Sequence, residues 1–209
     1  MTGPAALAVR RPLVKICGLT REEDVDVAVA AGADLVGFIL VPWSPRVVTR
    51  ERARELRERV PAGVQAVGVF VDEDPDVVAE VADELRLDLV QLHGAEPPTV
   101  VERFGVRAVK AHRLPLDGEL YGHTVLLDRH FDATPSETEL AAHWRLARDV
   151  GASRRVLLAG ALEVENVAAA VRSARPWAVD GVRGTESAPG VKDHDRVRAF
   201  VAAAKEALP

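Results

Sequence analysis

The sequence predicts an α/β fold, a closed (βα)8 barrel in a single domain. Three observations support it. Eight short apolar runs recur along the 209 residues, stretches with helical spacing separate them, and no linker-like composition divides the chain. Alternating strands and helices favour a parallel sheet joined by right-handed crossovers, and a count of eight favours closure into a barrel. An open doubly wound sheet is the alternative.

The runs are LVKIC (13–17), DLVGFILV (34–41), VQAVGVFV (64–71), LDLVQL (87–92), VRAVKA (106–111), TVLLD (124–128), RVLLAG (155–160) and WAVDGV (177–182). They are rich in Val, Leu and Ile without strict alternation, as expected of strands buried on both faces. Residues 1–12 read as a loose tail, and 13–209 as the barrel.

After the first run, Thr20 and Glu23 have the spacing of a capping box. Val25, Ala28 and Val29 then form an apolar side, and Gly32 marks the far end. The run TRERARELRERV (49–60) alternates acids and bases around Ala53, Leu56 and Val60, the pattern of a solvated outer helix rather than a basic binding patch. Asp74 and Pro75 form an N-cap and first-turn pair ahead of a stripe of Val77, Val78, Val81 and Leu85. Residues 128–144 show no clear periodicity and read as one long loop, the kind that often carries function.

Composition narrows the function. With 48% hydrophobic and 28% charged residues the chain reads as an ordinary globular protein. Its net charge of −5 argues against a general nucleic-acid surface. No stretch approaches the roughly 20 apolar residues of a membrane helix. The single cysteine permits no internal disulfide, and no CxxC pair or Cys/His cluster suggests zinc. These features fit a reducing cytoplasm and leave room for an anionic small substrate, which a few placed Arg or Lys side chains can bind.

In a barrel of this kind, chemistry collects at the carboxyl ends of the strands. Cys17, Asp128 and Asp180 fall at or near such ends. Lys15 and Cys17 share one strand face, because side chains alternate with period two. A cation beneath the thiol is expected to favour the thiolate. Cys17 also fits the role of a small buried hydrophobe, and Lys15 that of an ion-pair partner for Asp180.

The blocks VKICGLT, GADLVGFILVPWSPRVVT, VGVFVD, VQLHG, LLD, ENV and PGVKDHDRV, in that order from Leu13 to Phe200, resemble the serial motifs of the phosphoribosylanthranilate isomerase family. The resemblance implies a single (βα)8 barrel with no metal or cofactor; the oligomeric state stays open between monomer and homodimer. The implied reaction is the Amadori rearrangement of an anthranilate-substituted phosphoribosyl aminoaldose to an open-chain aminoketose in tryptophan biosynthesis. It casts Cys17 as general base, Asp128 as general acid and Arg46 of SPR as the grip on the anthranilate carboxylate. His93 of VQLHG, with Lys15 and Asp180, falls at positions matching the family's substrate site.

Three places depart from the family pattern. DRHFDATPSETELAAHW lacks the glycine-rich lead to a Phe-Asp-Trp segment, so the sixth loop reads as remodelled. Gly160 is followed by Ala161 where the family prefers Gly-Gly, and Ala resists positive φ. DGVRGTE replaces Asp-Val-Ser-Ser-Gly-Val-Glu. In the family these last two loops offer backbone N–H groups to phosphate, as helix N-termini commonly do. Gly160, Ala161, Arg183 and Gly184 are therefore the expected phosphate-end residues, with Arg183 either gripping phosphate or obstructing it. Two other readings stay open: a paralogue acting on a related N-aryl aminosugar, and a non-catalytic barrel that binds a metabolite or protein.

Overall fold

The architecture comes from a computed structural model that describes residues 11–116, 118–129 and 134–208. Eight parallel strands close a barrel in sequence order. They are β1 (Leu13–Cys17), β2 (Leu35–Ile39), β3 (Gln65–Phe70), β4 (Leu89–Leu92), β5 (Ala108–Leu114), β6 (Thr124–Arg129), β7 (Arg155–Leu158) and β8 (Ala178–Gly181). Closure is made by β8 against β1, with Lys15 opposite Asp180. The expected open-sheet alternative is excluded by that pairing. Of the expected tail, residues 1–10 lie outside the described residues, and Arg11 and Pro12 carry no regular structure.

Helices α1 (Glu22–Ala30), α2 (Arg50–Glu58), α3 (Pro75–Glu84), α4 (Pro98–Phe104), α5 (Glu137–Gly151), α6 (Val167–Ala174) and α7 (His194–Glu206) run between or after the strands. An antiparallel hairpin of β9 (Glu186–Ala188) and β10 (Val191–Lys192) precedes α7. Among the described residues the connection from β5 to β6 contains no helix, which corrects the expectation of eight strand–helix alternations. Its sequence explains this: Pro115, Gly118 and Gly122 punctuate a short segment in which no helical stripe can build.

Two apolar layers form, as a barrel requires. One fills the lumen with Leu35, Val67, Leu89, Val109, Leu126 and Leu157. The larger lies between strands and helices, where Val14, Ile16, Phe38, Leu56, Val90, Leu127, Val171 and Phe200 pack together. Helix α2 is the solvated outer helix expected. Thr49 caps it by accepting from the Arg52 N–H, and Arg50 pairs with Glu80 of α3 at 2.7 Å. Arg59 pairs with Asp26 of α1. The Asp74 cap and Pro75 first turn of α3 also form, Asp74 accepting from the Asp76 N–H at 2.7 Å.

The proposed capping box of α1 does not form. Arg21 is the N-cap and contributes no side-chain cap, while Thr20 Oγ1 donates to the Gly190 carbonyl at 2.5 Å. The hydroxyl is drawn to the β9–β10 hairpin, a long-range partner that local spacing could not reveal. The long loop assigned to 128–144 is also too long: α5 starts at Glu137 behind a complete capping box of Ser136 and Glu139. Residues 130–133 lie outside the described residues.

Phe200 of α7 is fully buried against the closing strands, and a Cβ added to Gly181 of β8 would come within 2.9 Å of its ring. Removing that ring leaves a hole where the barrel closes. Phe200→Ala should lose about 3–5 kcal/mol of unfolding free energy in urea titration. A loss below about 1 kcal/mol would show that α7 carries little of the closure.

Candidate active site

β1 carries Lys15 and Cys17 into the barrel, and both are buried. Lys15 Nζ lies 3.0 Å from both carboxylate oxygens of Asp180. The sequence offers Lys15 and Asp180 both as substrate-site residues and as an ion pair; the ion pair forms, with side-chain exposures of 0% and 3%. Burial works against the Lys15 ammonium, but Asp180 and Cys17 more than offset it and hold its pKa above the ordinary lysine value.

Cys17 ends β1 opposite Gly37 of β2. Gly37 makes room for it: a Cβ there would lie 2.6 Å from Sγ. The expectation that a cation beneath Cys17 makes it a low-pKa thiolate is corrected. Burial comes first and pushes the thiol above its ordinary value, and the nearby Asp180 carboxylate pushes the same way. Lys15 and Lys192 oppose them without prevailing. The resting group is a thiol.

Asp128 lies in β6, paired in register with Arg113 of β5. Its Oδ2 is 3.5 Å from His93 Nε2, and its side chain keeps 31% exposure at the open end of the barrel. His93 follows β4 directly, and its Nδ1 lies 2.9 Å from Gln91 Nε2. If the Gln91 amide donates, Nδ1 accepts and Nε2 holds the hydrogen facing Asp128. Burial favours the neutral Asp128 acid, but the His93 hydrogen bond and charge, with Arg113 and His143, outweigh it and hold its pKa below the ordinary carboxylate value. His93 and Asp128 are thus brought together across β5.

Arg46 lies in the loop after β2, its stem against Gly18, where a Cβ would lie 2.7 Å from Arg46 Cδ. Its guanidinium already grips a carboxylate. Nε reaches the two Glu186 oxygens at 2.9 and 3.1 Å, and Nη2 reaches Oε2 at 2.7 Å.

At the other rim, Gly160 and Ala161 follow β7 with φ of +89° and +50°. Ala161 takes up the left-handed conformation it was expected to resist. Gly184 forms a parallel bridge with Glu163, and its lack of a side chain is required there, since a Cβ would lie 2.2 Å from the Leu162 carbonyl oxygen. Arg183 is exposed and has no side-chain ion pair among the described residues.

Four residues escaped sequence reasoning. Gln91 shares a face with His93 in VQLHG, and the period-two signal was there to read. Glu186 and Lys192 sit inside the DGVRGTE and PGVKDHDRV blocks, but the meeting of Glu186 with Arg46 is long-range. His143 of α5 is buried and held neutral mainly by burial. Its Nε2 donates to the Ala159 carbonyl at 2.7 Å, while Nδ1 has no hydrogen-bond partner among the described residues. It lay in the stretch read as loop. No group of three His, Cys, Asp or Glu fit for a metal occurs among the described residues, and no described helix is long and apolar enough to cross a membrane.

Comparison with known proteins gives a consistent result. A family model described as N-(5′-phosphoribosyl)anthranilate (PRA) isomerase matches residues 14–203. N-(5′-phosphoribosyl)anthranilate isomerase of Trichlorobacter lovleyi is 44% identical over 204 residues, covering 93% of this chain and 98% of its own. The enzyme of the same name from Chromohalobacter salexigens is 42% identical, covering 96% of both chains. A crystal structure of phosphoribosyl anthranilate isomerase in complex with reduced 1-(o-carboxyphenylamino)-1-deoxyribulose 5-phosphate is 37% identical, with a TM-score of 0.82 over 93% of this chain and 98% of that one.

The left-handed Ala161 carries a conformational cost of roughly 1–2 kcal/mol, partly offset by the lower chain entropy of alanine in the unfolded state. Ala161→Gly should therefore raise the unfolding free energy by about 0.5–1 kcal/mol in urea titration. A destabilised variant would mean that the Ala161 methyl packs more usefully than its backbone strains.

Proposed function

Given that the chain belongs to the N-(5′-phosphoribosyl)anthranilate isomerase family, we propose that it is the aldose–ketose isomerase, an intramolecular oxidoreductase, that converts N-(5′-phosphoribosyl)anthranilate into the open-chain aminoketose of tryptophan biosynthesis. On this reading residues 13–209 are the isomerase domain, working in the cytoplasm as a monomer or homodimer without a cofactor. The observation that carries it is the convergence at one end of the barrel of Cys17 closing β1, Asp128 near the end of β6, and the Arg46 fork packed over Gly18.

Arg46 holds the anthranilate carboxylate, for which a planar fork is well matched. Asp128 gives a proton to the furanose oxygen as the substrate nitrogen pushes in to form an iminium, and the ring opens. The iminium acidifies the C2′ hydrogen, which Cys17 removes. The resulting enolamine tautomerises to the ketone. His93 steadies the Asp128 carboxylate, and Lys15 and Asp180 set the environment of the thiol. The loops carrying Gly160, Ala161, Arg183 and Gly184 receive the phosphate end.

The protonation states at rest are the reverse of those the reaction uses. The free site holds a thiol and a carboxylate, whereas catalysis needs a thiolate and a carboxylic acid. Both arrangements contain one proton, so the active form is a tautomer of the resting one and its fraction does not change with pH between the two titrations. Bound substrate promotes it: its negative charge and the exclusion of water raise Asp128, and the iminium favours the thiolate beside it.

Turnover of N-(5′-phosphoribosyl)anthranilate tests the assignment directly. Cys17→Ala and Asp128→Asn should each cut kcat by about 10²–10⁴-fold while the fold persists, as expected for lost general base or acid. Either variant turning over at the wild-type rate would remove that residue from the mechanism. Rates with and without the 5′-phosphate test the altered rim, with strong dependence expected and equal rates favouring another aminosugar.

The directions of the two shifts fix the pH dependence. Raising Cys17 keeps the one-proton site populated further into alkali, and lowering Asp128 keeps it populated further into acid. kcat/KM should therefore stay level from about pH 5 to pH 8, falling only outside that range. A narrow bell with both limbs inside it would contradict the reversed protonation.

A further inference from the structure

Glu186 and Lys192 have no part in the proton transfers, yet they form the most heavily bonded charged cluster beside Cys17. Glu186 is nearly buried, with 5% side-chain exposure, and takes the Nε and Nη2 groups of Arg46. Lys192 is fully buried and contacts Glu186 Oε1 at 3.2 Å, with the Val182 carbonyl at 3.1 Å and Thr185 Oγ1 at 3.2 Å completing its shell. The Gly190 N–H adds a bond to Glu186 Oε1 at 3.3 Å.

A guanidinium has two edges suited to a carboxylate. Glu186 fills one of them, the Nε/Nη2 edge. Nη1 forms no hydrogen bond among the described residues, so the Nη1/Nη2 edge remains for a second carboxylate, on a side chain that keeps 15% exposure. Charge decides whether that edge still attracts an anion. Arg46 and Glu186 alone would cancel, whereas the Lys192 ammonium restores one net positive charge to the cluster.

We propose that Glu186 and Lys192 are positioning residues for substrate specificity: Glu186 clamps the inner edge of Arg46 so that its outer edge is presented to an aryl carboxylate, and Lys192 cancels the Glu186 charge so that the fork stays cationic. This rests on the reading of Arg46 as the anthranilate grip. It makes the β9–β10 hairpin a specificity element for the aromatic end of the substrate.

Calorimetry with two non-reacting ligands tests it: reduced 1-(o-carboxyphenylamino)-1-deoxyribulose 5-phosphate and its counterpart without the ring carboxylate. The preference for the carboxylated ligand is the readout, because a merely structural change would weaken both equally. Glu186→Gln and Lys192→Met should each lower that preference about tenfold, the scale of one charge-assisted contact. Affinity for the ligand without the carboxylate should stay close to wild type. In turnover, Glu186→Gln should raise KM much more than it lowers kcat.

Arg46→Ala separates the two levels of the argument. If it retains the preference, the grip itself is misassigned. If it abolishes the preference while Glu186→Gln keeps the wild-type ratio, the grip stands and the positioning proposal is overturned. A preference that rises in Glu186→Gln would also overturn it, by making Glu186 a competitor of the substrate. Should Lys192→Met fail to fold, Glu186→Gln alone decides.

Discussion

The buried ion pair between Lys15 and Asp180 is the constraint on which the site depends. An ammonium with no exposure survives only because a carboxylate meets it with both oxygens at 3.0 Å. The two residues face each other across the β1–β8 seam, so the contact that makes the ammonium tolerable also registers the closing strands. Losing one partner of such a pair typically costs about 3–5 kcal/mol, because the other charge is left buried and uncompensated. Cys17 sits two residues further along the same strand face and inherits its electrostatic surroundings from that pair.

The two groups assigned to proton transfer are held in opposite ways. Around Cys17, burial and Asp180 favour the neutral thiol over the pull of Lys15 and Lys192. Around Asp128, His93, Arg113 and His143 favour the anion over burial. Arg46, Glu186 and Lys192 form a third cluster, built on the hairpin after β8. The acid thus sits in an environment separate from that of the base, whereas Lys192 is shared between the base and the anchor.

Much of the fold was legible in the sequence because parallel strands buried on both faces leave nearly continuous apolar runs, and all eight appear as such. The Asp74–Pro75 start of α3 and the amphipathic α2 were legible for the same local reason. What failed was governed by partners distant in sequence. Thr20 left its capping box for the Gly190 carbonyl, and Glu186 met Arg46 across 140 residues. The helix beginning at Glu137 announces itself only through the Ser136–Glu139 capping box, because no clear hydrophobic period marks the stretch before Trp144. Cys17, Asp128, His93 and Arg46 were named from motif resemblance, but the resting charge of the first two depends on burial, which spacing does not encode.

Gly37 sets a limit on the chemistry this barrel can acquire. A methyl carbon added at Gly37 would press within 2.6 Å of Sγ. A side chain on β2 at that point and a sulfur on β1 therefore compete for one space, so a residue other than glycine at position 37 has to be matched by a change at position 17.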